Sequence, residues 1–309
     1  MNTHMNTAIA LLKRETWEHR SFWIVPTAFA AIIAFGFATT LFFEIPTSIG
    51  IDRAVEKIAR NMSAGDLDRA GIALLPMLAF TFFLVMTFIG VFYLLDALYA
   101  ERRDRSILFW KSLPVTDTAT VLSKWCALFF VLPIIVLTIV LTLYFVLAFF
   151  ATIFVLIGGG NAWTIVISNL SLSGLGDTLI ALYVEMLWYA PLFGWLLLAS
   201  AWAKKAPFLW AVLPPVAIAI LEKMFLDTDN FLDVVGSRLA LFGGSQGFDE
   251  LIGHEFSMFG AHGDFSGEIG FDISFFGDLF TAAGFWYGLV FAAACTAGAI
   301  WLRRYRDES

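Results

Sequence analysis

The chain has 309 residues, of which 60% are hydrophobic and only 15% charged, with a mean hydropathy of +0.81 and a formal net charge of −7. Soluble domains carry about a quarter charged residues, so the surplus apolar surface needs lipid and a soluble enzyme is excluded. The 33 Phe and 11 Trp lie in long unbroken runs, whereas a transmembrane barrel alternates polarity in segments of about 10 residues. The expected fold class is therefore an all-α polytopic membrane protein forming a single transmembrane domain over 1–309, without a nucleic-acid partner.

A helix needs about 20 apolar residues to cross a hydrocarbon core of about 30 Å. Residues 5–21 come first and carry Met5, Ala8, Ile9, Leu12 and Thr16 on one face with Arg14 and Glu18 on the other, the pattern of an interfacial helix. Six spans are predicted over 22–43, 72–98, 125–157, 179–201, 207–225 and 281–302. The first run is too long for a signal-peptide core and is expected to stay in the protein. Between the first two spans, Ile51, Val55, Ile58 and Met62 recur at helical spacing while Glu56 and Arg60 can pair, so a short helix is expected on the outer surface. The third run would make about 48 Å of helix at 1.5 Å per residue. It is read as one long, tilted or protruding span, with a hairpin as the alternative.

Positive charge sets the orientation. Thirteen Lys and Arg fall in the N-terminus, the 99–124 loop, the Lys204–Lys205 turn and the tail, against six on the other side. Both termini are thus expected in the cytoplasm, with the chain in the inner (plasma) membrane. The 226–280 loop holds ten Gly, ten Phe and ten carboxylates and is expected to lie outside, partly folded against the outer leaflet. His254, Glu255, His262 and Asp264 fall there without a recognised ligand spacing, so no metal is expected. Cys126 and Cys295 sit inside apolar runs and read as small buried hydrophobes.

Within the spans, Glu185 lies about two turns into the fourth, where a carboxylate is costly and marks a candidate substrate path, with a bond to a neighbouring helix as the equal alternative. Asp96 and Glu222 sit at span ends. Pro191, Pro214 and Pro215 are expected to bend their helices. Gly284, Gly288 and Ala292 form a small-residue stripe that permits close helix packing, within one subunit or across a dimer seam.

The 99–124 loop carries the functional signal. Ile107–Trp110 places four bulky apolar residues where a simple connection needs none, so a partner protein or the underside of the bundle must cover some of them. Pro114 stops that stretch, and Thr116 or Asp117 can cap the helix leading into the third span. With its Glu101-Arg102 pair, Ser106, the Ser112-Leu-Pro114 stop and Lys124, the loop resembles the permease subunits of ABC-2-type exporters. The N-terminal amphipathic helix, the six spans and the large last external loop extend that likeness over most of the chain.

The resemblance implies a homodimeric six-span half-transporter paired with a separate ABC ATPase subunit. Glu101, Arg102, Ser106, Ile107, Phe109, Trp110 and Pro114 would form the coupling helix seated on that ATPase. ATP and Mg are expected on the partner, because none of the lysines here follows a glycine as a phosphate-binding loop requires. The chain itself is expected to hold no cofactor and no catalytic residues. Two other classes stay open: an ion-gradient-driven secondary transporter, against which no internal repeat or pair of broken helices is visible, and an integral membrane enzyme, against which no nucleophile or acid–base cluster is visible. The substrate class is hydrophobic or amphipathic.

Overall fold

The computed structural model describes residues 2–104, 115–172, 175–239 and 280–305, all helix and connections without a strand among them. Helix α1 (Asn2–Glu18) leads into α2 (Ser21–Ser48), and a short α3 (Ile51–Asn61) precedes the long α4 (Ala64–Arg103). After residues 105–114 come α5 (Asp117–Ile157), α6 (Leu175–Trp188), α7 (Ala190–Trp202), α8 (Pro207–Leu226), α9 (Asn230–Leu239) and α10 (Ala283–Tyr305). Five of these helices are long and apolar enough to cross a membrane, or six if the bent pair around Tyr189 counts as one span. The protein is a helical multi-pass membrane protein.

Local chemistry sets the helix ends. Ser63 and Asp66 form a reciprocal cap, the Ser63 hydroxyl accepting from Asp66 N at 3.2 Å and the Asp66 carboxylate accepting from Ser63 N at 2.9 Å. That cap starts α4 well before the apolar run begins. Its 40 residues make about 60 Å of helix, twice the hydrocarbon thickness, so its ends project beyond the lipid. The 41-residue α5 is likewise one continuous helix through the long third run, with a π-turn at Ala127–Val131 just before Pro133. Its first turns, from Asp117 to Lys124, project at the same end as the last turn of α4.

The core lies between α2, α4, α5 and α7, where Phe82, Leu94, Leu128, Leu132, Tyr144 and Leu197 are fully buried. By contrast α2 and α8 bury few residues fully, only Phe22 and Pro26 in α2 and Ala211 in α8, although Phe29, Ile33 and Phe37 of α2 lie half-buried against the core. At the far end, α3 packs Ala54 and Val55 on Phe154, Val155 and Ala162, and Arg60 pairs with Glu56 as its spacing suggests. Gly158 and Gly160 pass directly under it. A Cβ at either would lie 2.5 Å from a Val55 methyl, so only glycine fits.

Of the small-residue stripe, Gly288 and Ala292 are used within the chain, while Gly284 is exposed. A Cβ on Gly288 would meet Pro191 at 2.8 Å, and Ala292 sits against Gly194 at backbone distance, so α10 packs on α7. Of the prolines expected to bend spans, Pro191 stands beside a 50° bend between α6 and α7. Pro214 and Pro215 lie inside the single helix α8. Pro191 offers no N–H to the Leu187 carbonyl one turn back, which is the physical reason for a break there.

Candidate functional site

Three cations and three carboxylates from four distant parts of the chain meet at the end of the bundle where both described termini lie. Glu101, on the last turn of α4, accepts from Arg14 at 2.7 Å, lies 3.1 Å from the Lys124 ammonium and pairs with Arg303. Lys124 also donates to Glu15 at 2.7 Å, and Arg303 reaches Asp117 at 3.0 Å. Tyr93 donates its hydroxyl to the second Glu15 oxygen at 2.9 Å. Glu15 is 0%, Lys124 1% and Glu101 5% exposed, so these pairs act with little solvent screening.

Helical register explains the convergence. Leu11 and Glu15 are one turn apart, and both are buried, so α1 turns this face inward instead of only resting on the membrane. Ile9, assigned to the apolar side from spacing, is exposed. Arg14 lies at the edge of the buried face and bridges inward to Glu101 and outward to Glu18, at 3.0 Å.

Arg102, the residue after Glu101, points the other way. It donates to the Ser200 and Ala203 carbonyls, the latter at 2.9 Å, and so closes the C-terminal end of α7. The Ser200 hydroxyl in turn accepts from the Leu98 and Tyr99 amides at 3.0 and 3.1 Å, where α4 changes direction. Two consecutive residues thus connect the end of α4 to α1, α5, α7 and α10.

Of the residues singled out in the sequence, Glu101 and Lys124 are brought together here, while Arg102 bonds the end of α7 instead. Ser106, Ile107, Phe109, Trp110 and Pro114 fall outside the described residues, as do His254, Glu255, His262 and Asp264. Glu185 is fully buried in α6, away from this cluster. Glu15, Tyr93, Ser200 and Arg303 were not singled out. A signal existed for Glu15, an acid one turn from Leu11 on the apolar side of α1, but none for its partner.

Glu15, Glu18 and His19 place their ligand atoms within 4.8 Å of one another. Tyr93 already donates to the Glu15 oxygen that faces His19, Lys124 holds the other, and Arg14 holds Glu18, so the group reads as an ion-pair network.

Burial alone would raise the Glu101 carboxyl, but Lys124, Arg303 and Arg14 outweigh it and hold it at about 2. The stability its ionisation contributes is fully present above its ordinary value of 4.5 and is lost as pH falls toward 2. His19, stacked edge-on against Tyr93 at 4.6 Å, is lowered mainly by burial, with Lys124 adding to it against Glu15. A neutral buried His favours folding above its ordinary value of 6.5 and loses that contribution as pH falls below it. Acid unfolding followed by circular dichroism is expected to weaken the protein in two steps, the first removed by His19→Gln and the second by Glu101→Gln. A single step unchanged in His19→Gln would contradict this assignment.

No protein-family model matches the chain, and no curated protein or solved structure does so either.

Proposed function

We propose that this chain is the permease subunit of an ATP-driven ABC exporter, working as a homodimer with a separate ATPase subunit on a hydrophobic or amphipathic substrate. In this reading the charge cluster faces the cytoplasm of a plasma (inner) membrane, in agreement with the excess of Lys and Arg at that end. The observation that carries the proposal is the Glu101-Arg102 junction. A force applied to the segment after it passes through short buried ion pairs to α1, α5 and α10, and through two carbonyl bonds to α7. Such a brace moves four helices together, which is what converting closure of a soluble ATPase into a change of access needs.

The test is whether a neighbouring coding region specifies an ATPase with a phosphate-binding loop and whether that ATPase co-purifies with this chain, followed by substrate-stimulated ATP hydrolysis in lipid. Phe109→Ala with Trp110→Ala is expected to weaken that association about a hundredfold, from the apolar area lost. Membrane insertion should be unchanged. Transport without any ATPase subunit, or full coupling in the double mutant, would overturn the exporter reading.

A second reading, an ion-gradient-driven transporter, is favoured by one observation. The fourth span is broken at Tyr189, and fully buried Glu185 lies one turn before the break, an arrangement that transporters of that class use for binding. Transport abolished by a protonophore while ATP is held constant would favour it.

A further inference from the structure

We infer that Arg238 seats the oxyanion headgroup of an amphiphile, a phosphate or carboxylate on an apolar tail, at the end of the bundle opposite the charge cluster. Such binding is measured on this chain alone, so it stands or falls apart from the exporter reading. Three helices build the seat. Arg238 of α9 lies 3.9 Å over the Trp188 ring of α6, donates to the Trp188 carbonyl at 3.2 Å and donates to the Gly284 carbonyl of α10. A Cβ on Gly288 would lie 2.8 Å from an Arg238 terminal nitrogen, so the bare backbone of α10 makes room for the guanidinium. The start of α9 is fixed as well, because Glu222 accepts from the Phe231 amide and the Thr228 hydroxyl, both at 2.8 Å.

Charge is what this seat lacks. Among the described residues no carboxylate pairs with Arg238, and burial lowers its pKa with nothing acting against it. Arg14 shows the usual arrangement, raised in spite of its burial because Glu101 bonds it. Two carbonyl dipoles orient a guanidinium but do not neutralise a full charge that is half shielded from water, and an anion does. The guanidinium has five N–H, of which these bonds use two among the described residues, so Nε and two further N–H are left for an acceptor. A planar fork of that kind matches two oxygens of a phosphate or carboxylate.

Position and surroundings decide which anion. Gly284 lies about 28 Å before Arg303 along α10 at 1.5 Å per residue, close to the hydrocarbon thickness of about 30 Å. The guanidinium therefore sits where the headgroups of the far leaflet meet the bundle, and basic seats between spanning helices bind lipid headgroups. Beside it are exposed apolar side chains: Val234, one turn earlier on α9, Leu239, and Tyr287 next to Gly288 on α10. A tail gains by covering them, whereas a free inorganic anion does not. The positive sign rejects a cationic amphiphile.

The test uses the full chain in dodecyl maltoside, with native mass spectrometry counting bound molecules and thermal unfolding as the second readout. Dodecyl phosphate and dodecanoate are expected to bind and to raise the unfolding temperature, while inorganic phosphate and dodecyltrimethylammonium do neither. Arg238→Met should weaken dodecyl phosphate binding about tenfold or more, the effect of one lost charge-assisted hydrogen bond, and Arg238→Lys should recover part of it by keeping the charge without the fork. Should Arg238→Met not fold, Arg238→Gln keeps a donor for the carbonyls, removes the charge and should weaken binding alike. Equal binding of dodecyltrimethylammonium, inorganic phosphate binding as tightly as dodecyl phosphate, or unchanged binding in the uncharged variant would each overturn the proposal. So would a variant that unfolds at lower temperature yet binds dodecyl phosphate as the original chain does, the result for a guanidinium that only caps α6.

Discussion

Glu101→Ala is expected to destabilise the protein by about 3–5 kcal/mol, the cost of removing one partner from a buried ion pair. Lys124 and Arg303 are then left in a site where they are 1% and 4% exposed. Lys124 keeps Glu15, Arg303 keeps Asp117, and Arg14 keeps a longer 3.8 Å pair with Glu15 and its pair with the exposed Glu18. Thermal unfolding in a lipid mimetic measures the loss. Arg103→Ala is the contrast, because its pairs with Asp96 and Asp104 are exposed and screened by water, so its loss should leave the unfolding temperature nearly unchanged. Combining Glu101→Ala with Arg303→Met should cost clearly less than the sum of the two single changes, since the second removes a charge the first had stranded. Additive effects, or a loss below about 1 kcal/mol for Glu101→Ala, would mean that water reaches the cluster and that it braces nothing.

Gly194→Val is expected to cost about 1–3 kcal/mol by overpacking and to push α7 and α10 apart. Helix propensity argues the opposite sign, because glycine inside a helix is worse than alanine by about 1 kcal/mol. Sterics win at this position: a Cβ would lie 2.9 Å from Ala292 Cα and 3.1 Å from Ala292 O, both backbone atoms that cannot rotate away. Gly36 reports the propensity term alone, since a Cβ there meets nothing within 4 Å. Gly36→Ala is expected to be neutral or stabilising. A stabilising Gly194→Val in the same unfolding assay would show that the two helices do not touch as described.

Much of the scaffold was legible because lipid and hydrogen bonding act locally. A long apolar stretch in a bilayer must satisfy its own backbone, and only a helix does so. The short helix with its Glu56–Arg60 pair and the third run as one helix follow from that logic. Where the sequence reading went less far, the missing information was the neighbour. The amphipathic pattern of α1 placed Ile9 toward the membrane, whereas burial of Leu11 and Glu15 is decided by Tyr93 and Lys124, which the pattern of α1 does not contain. Proline gives the same lesson. Each one removes a hydrogen bond, but only next to Pro191, where Gly288 leaves room and Arg238 bonds the freed end of α6, does the described chain turn by 50°.

By itself the sequence determined that the chain lives in a membrane, which stretches are helical, and that Glu185 stands where charge is unusual, while Glu101, Arg102 and Lys124 were marked by the resemblance of their loop. Hydropathy, periodicity and charge are properties of neighbours along the chain, so they can be read in one dimension. The tertiary structure alone decided which charges meet. Glu15, Glu101, Lys124 and Arg303 are separated by up to hundreds of residues, and their pairing depends on how long helices stack and how far each projects. It also decided that the glycine stripe of α10 packs against its own fourth span, because close approach is a relation between two surfaces.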